Sequence, residues 1–393
     1  MRYSFEEIFS VSSGLSKKKG EFGTGNPFVS FKEVFSNTFL PKKLTQLVQT
    51  NEVEQQKYSV KKGDLFLTRT SEKFDELAMG SIALKDYPKA TFNGFTKRLR
   101  LKQKYQELFD IKYLAYYMRS PFFRNQIISM TTMSTRASLN NEMISRLFID
   151  IPKLETQKKI SNILYILDSK IELNNQMIAT LEELAATLFK RWFVDFEFPD
   201  ENGNPYKSSG GKMVNSELGE IPEGWEVKTF SSIMKIRSGK RPECKSDNIE
   251  NDMKIPIVGA SKIMGYTNKY LTNTSIITTG RVGTHGVIQR FRKPVWISDN
   301  SFIITSSFEG YTYEFLKSID FKSLNRGSTQ PLITQTDIKN IKFTNPHDRL
   351  LHRFETIYQK VFKNIEYLSC EIESLIEIRD TLLPQLISGK LVL

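Results

Sequence analysis

Residues 160–188 read ISNILYILDSKIELNNQMIATLEELAATL, and this stretch decides the fold. Apolar residues recur in it at steps of three and four, which predicts one long helix from Glu155 to Trp192, a span without proline or glycine. Residues 354–382 read FETIYQKVFKNIEYLSCEIESLIEIRDTL and carry an apolar ladder at the same spacing, 194 residues later. The chain therefore holds two copies of one unit, each a globular part followed by a long helix.

The two ladders predict helices that pair through their apolar stripes. Both contain consecutive steps of four, at Ile163 to Ile171 and at Ile357 to Ile365, so they share one irregularity of the heptad pattern. A polar residue on such a stripe can set the register between helices. Pro384 is expected, with the glycine at 389, to end the second helix. The residues predicted to pair the helices are Ile160, Leu167, Ile171, Asn174, Ile178, Leu181, Leu188, Val361, Ile365, Leu368, Ile372, Leu375 and Leu382.

Charge divides the chain along the same lines. The net charge is +12, and it comes from two basic globular parts, while both helical parts are slightly acidic. Basic domains attract polyanions over long distances. The predicted organisation is a first domain at 1–152, a central helix at 153–197, a linker rich in Pro, Gly, Asn and Ser at 198–222, a second domain at 223–346 and a C-terminal helix at 347–393.

Composition excludes several classes of protein. No apolar stretch reaches the ~20 residues that a membrane helix needs, and the N-terminus lacks the apolar core of a signal peptide. Cys244 and Cys370 are interpreted as unpaired thiols in a reducing cytoplasm. The two cysteines and three histidines lack zinc-ligand spacing. We therefore predict a cytoplasmic protein with no membrane partner and no metal of its own.

Enzyme motifs are also missing. No phosphate-binding loop occurs, and the Asp/Asn-Pro-Pro-Tyr/Phe motif of DNA adenine methyltransferases has only single-proline approximations, at 26–28 and 204–206. A nuclease site can be assembled on paper from Pro199, Asp200, Glu243 and Lys245, although the first two lie in the predicted linker. We predict a chain without catalytic residues. An enzyme with an unrecognised nuclease or methyltransferase site is the alternative that mutation of Glu243 or Lys245 addresses.

Matched polar loops on the two globular parts indicate nucleic-acid binding. An arginine follows a predicted strand in each part, and a basic cluster follows a Ser-Gly pair near the start of each. Glycine lets a backbone approach its partner closely, and arginine reaches phosphates and guanine edges. The predicted DNA-binding residues are Lys17, Lys18, Lys19, Arg69, Arg136, Lys240, Arg241, Arg281, His285, Arg326 and Gln330. A coiled-coil scaffold that joins other proteins is the alternative function.

Three local strings stand out, namely residues 152–160, PKLETQKKI, residues 182–196, EELAATLFKRWFVDF, and residues 218–225, LGEIPEGW. Through them and the repeat, the chain resembles a known family, the DNA specificity subunits of type I restriction–modification systems. The resemblance covers essentially the whole chain. One departure is that the second helix lacks the Glu-x-Gln found at 155–157, so we expect the two helix starts to contact a partner unequally.

The resemblance implies an α+β fold with an internal pseudo-two-fold repeat. Two mixed α/β target recognition domains would be separated by two long helices that form an antiparallel coiled coil. Each domain would read half of a bipartite target in double-stranded DNA and direct adenine methylation or cleavage by partner subunits. Those partners would be two methyltransferase subunits and two restriction/translocase subunits. They, and not this chain, would bind S-adenosylmethionine, ATP and Mg²⁺.

Overall fold

The computed structural model describes residues 1–71, 73, 76–130, 137–250, 252–282, 286–324, 332–391 and 393. The chain forms two compact units, residues 1–174 with 370–393, and residues 175–369. We call them the first unit and the second unit. The division passes through both long helices, so each unit contains the first part of one helix and the last part of the other.

The globular part of the first unit mixes short helices with small sheets. A four-stranded antiparallel sheet has the order β2-β9-β5-β7, and a three-stranded sheet has the order β4-β3-β8. Two-stranded pairs β1-β11 and β6-β10 complete it. Its elements are β1 (Arg2–Ser4), α1 (Phe5–Ile8), β2 (Phe9–Ser13), β3 (Phe22–Val29), α2 (Phe31–Ser36), β4 (Leu47–Val48), α3 (Glu52–Lys57), β5 (Leu65–Thr68), β6 (Thr70–Ser71), β7 (Gly80–Ile82), β8 (Thr91–Phe92), β9 (Thr96–Leu101), α4 (Ile111–Arg119), α5 (Pro121–Met130), β10 (Ala137–Ser138), α6 (Asn141–Ser145) and β11 (Phe148–Asp150), and the long helix α7 (Leu154–Phe193) follows.

The second unit repeats this plan. Its four-stranded sheet has the order β15-β21-β18-β19, its three-stranded sheet the order β17-β16-β20, and β14 pairs with β22. The elements are β12 (Met213–Ser216), β13 (Gly219–Pro222), β14 (Glu226–Thr229), β15 (Met234–Ser238), β16 (Ile255–Val258), β17 (Ile263–Thr267), β18 (Ile276–Gly280), β19 (Gln289–Phe291), β20 (Trp296–Ile297), β21 (Ser301–Ser306), α8 (Glu309–Ser318), α9 (Gln335–Lys339), β22 (Lys342–Asn345) and the long helix α10 (Asp348–Ile387).

The 194-residue offset found in the sequence is reproduced by the elements. Helices α7 and α10 both have 40 residues, and their first and last residues are related by this offset. Helices α6 and α9 are related in the same way. The predicted helix from Glu155 to Trp192 is confirmed to within one residue at each end. The predicted α+β class with two α/β domains and two long helices is likewise confirmed.

The two long helices pack antiparallel within each unit. In the first unit Ile160 and Leu164, near the start of α7, share a core with Leu386 at the end of α10. In the second unit Phe189, near the end of α7, contacts Phe354 near the start of α10, with ring centroids 6.2 Å apart. Each residue predicted to pair the helices is at least partly buried. Their individual partners across the seam stay a prediction.

Asn174 lies at one of these seam positions and is fully buried. Its Nδ2 donates to Glu371 Oε2 at 2.7 Å, and Lys170 Nζ lies 3.3 Å from the same carboxylate oxygen. An amide that bonds one carboxylate on the facing helix favours one register over its neighbours. The one polar residue among the predicted seam positions of α7, Asn174, is therefore paired with a polar side chain of the opposite helix.

The Glu-x-Gln string at the start of α7 has a structural explanation. The fully buried Gln157 accepts the backbone N–H of Asp110 at 3.0 Å and donates to the carbonyl oxygens of Leu108 and Pro152, both at 3.0 Å. In the second unit a residue at a different position of the long helix makes the equivalent contact. There Glu355 Oε1 accepts the backbone N–H of Tyr311 at 2.8 Å. Both helices are thus joined to the first turn of a shorter helix, by different residues.

Two further expectations differ from the structure. Residues 198–222 are not only a linker, because β12 and β13 form a hairpin there and Ile221 is buried in the core of the second unit. Phe198 stacks on Trp225 with ring centroids 5.3 Å apart, which anchors the start of the segment. Pro384 lies inside α10, which continues to Ile387. Proline removes one hydrogen bond without ending the helix, and Gly389, at φ +70°, follows the true end.

Replacing Gln157 by alanine is expected to destabilise the first unit. The variant Gln157→Ala leaves one N–H and two carbonyl oxygens without their buried side-chain partner, so the free energy of unfolding should fall by about 2–4 kcal/mol. Urea unfolding of the purified chain measures this change. The matched control is Lys159→Ala, an exposed position of the same helix turn, which should change stability by less than ~0.5 kcal/mol. Equal effects of the two substitutions would contradict the assignment.

A buried carboxyl group in the second unit makes stability depend on pH. Glu314 is 4% exposed, accepts the hydroxyl of Tyr358 at 3.1 Å, and burial raises its pKa. The folded chain then holds this proton more tightly than the unfolded chain, so the contribution of Glu314 to stability falls as pH rises above the usual carboxyl range. Glu314→Gln keeps an acceptor for Tyr358 and removes the charge.

We therefore expect Glu314→Gln to raise the urea midpoint relative to the wild type at pH 7 and to lose that advantage near pH 4. The exposed Glu183→Gln, also in the second unit, serves as the control. A midpoint difference that stays the same at both pH values would show that the charge of Glu314 does not matter.

Candidate nucleic-acid interface

In the first unit three strand ends meet at one edge of the four-stranded sheet. β9 runs antiparallel to both β2 and β5, with Ser13 opposite Lys97 and Thr68 opposite Thr96. The end of β2, the end of β5 and the start of β9 therefore lie side by side. The second unit has the same edge, where Ser238 lies opposite Phe302. The predicted DNA-binding residues Lys17 to Lys19 and Arg69 follow strand ends at the first edge, and Lys240, Arg241 and Arg281 follow strand ends at the second.

Arg69 and Arg281 occupy the same backbone frame in the two units. The N–H of Arg69 donates to Phe95 O at 2.8 Å, and its carbonyl accepts the N–H of Leu139 at 2.7 Å. The N–H of Arg281 donates to Asn300 O at 2.8 Å, and its carbonyl accepts the N–H of Ile333 at 3.1 Å. Both side chains are exposed. Each arginine is thus fixed by its backbone and free to reach outward.

Glycines at the same edge bring the next loop close to the sheet. A Cβ on Gly14 would lie 2.1 Å from Asn93 O, and a Cβ on Gly239 would lie 2.2 Å from Ser298 O. Neither contact is possible for another residue without movement of the backbone. The Ser-Gly pairs singled out in the sequence are therefore required for close backbone approach.

The basic residues of these clusters are not equivalent. Lys17 Nζ lies 2.8 Å from Glu54 Oε1 and 3.1 Å from Glu21 Oε1, and these hydrogen bonds raise its pKa. Its charge is neutralised within the domain. The side chains of the other members are exposed, namely Lys18, Lys19, Lys240 and Arg241. The second unit therefore presents its whole cluster to solvent, whereas the first presents two of three lysines.

Lys97 is a member of this edge that sequence reasoning missed. It is 7% exposed, and its Nζ donates to Ser13 Oγ and to Asn141 Oδ1, both at 2.9 Å. Burial, and then the positive charge of Arg69, lower its pKa. The strand KRLRL at 97–101 contains three cations, but only the sheet register shows which of them lies at the edge.

The other cations of that strand hold the domain together. Arg100 forms an ion pair with the buried Asp64, with Nε to Oδ1 at 2.6 Å. Arg98 donates to Ser59 O at 2.6 Å and lies over the ring of Phe92. These two arginines face away from Lys97, because side chains alternate along a strand. Of the three, only Lys97 belongs to the candidate interface.

Four predicted DNA-binding residues lie outside the described residues. They are Arg136, His285, Arg326 and Gln330. All four fall in segments next to residues of the interface, since 131–136 precede Leu139, 283–285 follow Arg281, and 325–331 precede Ile333. Their role stays a prediction.

The residues from which a nuclease site could be assembled in the sequence do not form one cluster in the structure. Glu243 pairs with Lys269 at 2.7 Å, and Lys245 pairs with Asp247 at 3.0 Å. Asp200 accepts the N–H groups of residues 202 and 204, which makes it the stabilising residue of a tight turn. Across the part of the chain that the structure describes, no cluster of three His, Cys, Asp or Glu side chains is arranged to hold a metal ion.

The long helices expose apolar residues besides those of the seam. On α7 they are Ile166 and Leu173 in the first unit, and Met177 and Leu184 in the second, each pair seven residues apart. Residues seven apart lie on one face of a helix. No helix within the described ranges is both long and apolar enough to cross a membrane.

The known proteins that this chain resembles are specificity subunits of one kind of restriction system. The MjaIX specificity subunit of a type I restriction enzyme from Methanocaldococcus jannaschii is 27% identical over 358 residues, which cover 84% of this chain and 78% of that protein. The HindI specificity subunit from Haemophilus influenzae is 26% identical over 343 residues, covering 68% and 74%. The crystal structure of a type I restriction–modification S subunit from M. genitalium has a similar fold, with a TM-score of 0.59 over 98% of this chain and 95% of that one, at 16% identity.

The family assignment rests on the whole repeat and not on one motif. The model of the type I restriction modification DNA specificity domain matches residues 2–183 and again residues 222–366. Those two matches contain both sheet edges described above. The chain belongs to the type I restriction–modification DNA specificity family, and it is a non-catalytic specificity subunit of such a system.

Proposed function

We propose that each unit reads one half of a bipartite target in double-stranded DNA through the edge of its four-stranded sheet. The observation that carries this proposal is the shared frame of Arg69 and Arg281, in which two fixed backbone hydrogen bonds support an exposed guanidinium. A positioned arginine donates two parallel hydrogen bonds to guanine O6 and N7, or to a phosphate. The net positive charge of both globular parts supports the same partner.

The domain roles follow from this proposal. Residues 1–152 and 223–346 act as target recognition domains, and residues 153–197 and 347–393 act as the helical spacer. Residues 198–222 connect the first helix to the second domain and close its core with Ile221. The partner subunits methylate adenine or cleave the DNA according to what the two domains recognise.

The exposed apolar faces of α7 support docking of the partner subunits. Ile166 with Leu173, and Met177 with Leu184, each form a short apolar face in one unit. We propose that two methyltransferase subunits cover these faces and that two restriction/translocase subunits join them. S-adenosylmethionine, ATP and Mg²⁺ belong to those partners, and the assembly works in the cytoplasm, where the DNA is. A scaffold without base recognition would use the same helix faces but would not need the matched arginines.

Removal of either interface arginine is expected to weaken specific DNA binding. In the complex with the methyltransferase partner, Arg69→Ala and Arg281→Ala should each weaken the free energy of DNA binding by about 1–3 kcal/mol. Each variant loses a bidentate contact. Each should also relax a different half of the methylated motif. Binding is measured on the wild-type target, and the motif is mapped by methylome sequencing of cells that carry each variant.

The control for this experiment is Arg191→Ala, an exposed arginine near the end of α7 and outside both sheet edges. It removes the same charge and should leave the motif unchanged. Wild-type affinity and an unchanged motif in both edge variants would remove these arginines from the interface. The scaffold function would then be favoured.

The length of the helices is expected to set the gap between the half-sites. Forty residues give roughly 60 Å of helix at ~1.5 Å per residue. Deleting residues 175–181 together with 369–375 removes one heptad from each helix and ~10 Å of length, which corresponds to about three base pairs at ~3.4 Å each. The methylated motif of the double deletion should keep both half-sites with a gap shorter by about three base pairs.

Methylome sequencing of cells carrying the double deletion and its methyltransferase partner measures this gap. The matched control deletes residues 175–181 alone, which moves one apolar stripe past the other and should abolish methylation. An unchanged gap in the doubly shortened protein would show that the helices are not the ruler.

A further inference from the structure

Lys97 carries a buried positive charge, and its hydrogen bonds within the described residues include no acidic partner. Its ammonium group donates to Ser13 Oγ and Asn141 Oδ1, which are both neutral. An ammonium has three donors, so these two acceptors leave one N–H for a further acceptor. Burying an ion with only neutral partners is unfavourable, and lysine is almost never this buried unless it is paired.

The place of this charge is the centre of the candidate interface in the first unit. Lys97 lies opposite Ser13 at the end of β2 and opposite Leu67 in β5, one residue before the strand ends. Arg69 is near enough for its charge to lower the pKa of Lys97. Phe95, whose carbonyl holds Arg69, is 61% exposed. The ammonium is therefore recessed close to an exposed arginine, and the exposed Phe95 is two residues away in the chain.

The fold does not require a lysine at this position. In the second unit the residue opposite Ser238 is Phe302, which is 1% exposed. There Gln335, which is related to Asn141 by the 194-residue offset, donates directly to Ser238 Oγ at 3.1 Å. The same edge is thus built with an apolar side chain and one amide–hydroxyl bond. Lys97 is a feature of the first unit alone.

We propose that Lys97 is a specificity-determining residue that recognises a guanine in the half-site bound by the first unit. Its third N–H is available to the O6 or N7 acceptor of guanine in the major groove, where adenine would present a donor at position 6 instead. Two hydrogen bonds hold the ammonium in one place, as base recognition requires. Exposed lysines such as Lys18 and Lys19 can contact the phosphates, so the recessed Lys97 is not needed for that contact. This inference rests on the proposed DNA interface.

The first experiment maps methylation in cells that carry the methyltransferase partner with the wild-type chain, Lys97→Met or Lys104→Met. Lys104 follows the opposite end of β9, so its replacement removes the same charge away from the interface. We expect Lys97→Met to make one guanine position degenerate in one half-site and to leave the other half-site unchanged. Lys104→Met should keep the wild-type motif.

The second experiment measures binding of the assembled complex to duplexes in which that guanine is replaced by 7-deazaguanine, which lacks N7. The wild-type complex should lose roughly tenfold in affinity, whereas Lys97→Met should show no further loss on the same duplex. Uniform weakening of all sequences, with a salt dependence reduced by about one phosphate contact, would overturn base recognition by Lys97.

Protein stability is followed by thermal unfolding of each variant. Lys97→Gln is the second variant if Lys97→Met does not fold, because an amide can still bond Ser13 or Asn141. A loss of stability with an unchanged motif would mean that Lys97 only bridges β2 and α6, and the inference would be wrong. A wild-type complex that methylates no defined motif would instead refute the proposed function.

Discussion

A 40-residue helix with one apolar side cannot bury that side alone, and the antiparallel seam between α7 and α10 provides the cover within each unit. In the first unit the end of α10 places Leu386 in the core of the globular part. In the second unit the end of α7 places Phe189 and Trp192 in the equivalent core. Neither globular part is therefore complete with only the helix that follows it in sequence. The string around Trp192, which carries part of the family resemblance, owes its aromatic residues to this packing.

Local periodicity made the helices and the repeat predictable from sequence. The apolar stripe of a helix depends only on residues three and four apart, so α7 was located to within one residue at each end. The hairpin at 213–222 and the continuation of α10 through Pro384 depend on tertiary packing, which local signals do not contain. The role of Gln157 was likewise hidden, because its partners include Leu108 and Asp110, far away in the chain.

The candidate interface was only partly predictable for the same reason. Arg69 and Arg281 follow strands, which the sequence shows, and the structure places both in one backbone frame. Lys97 was missed because strand pairing and side-chain contacts bring residues 13, 97 and 141 together, and no local pattern records that. Lys17 looked like its neighbours, but Glu21 and Glu54 neutralise it. Counting basic residues therefore indicates the class of partner, whereas the contacts of each side chain are needed to choose between candidate residues.

Directional polar contacts join each globular part to its helices, and we infer that they fix orientation more than they add stability. In the first unit Asp168 of α7 accepts the hydroxyl of Tyr116 at 2.7 Å and pairs with Arg379 of α10 at 2.8 Å. In the second unit Arg292, just after β19, donates to Gln359 at 2.6 Å and to Glu366 at 3.2 Å, both on α10. Partly buried ion pairs gain little net free energy, because desolvation offsets their attraction. Apolar packing alone, however, tolerates rotation and sliding of one element on another. The proposed reading of two half-sites at a set spacing needs each sheet edge held at one angle to its helix, and hydrogen bonds with defined geometry favour one angle.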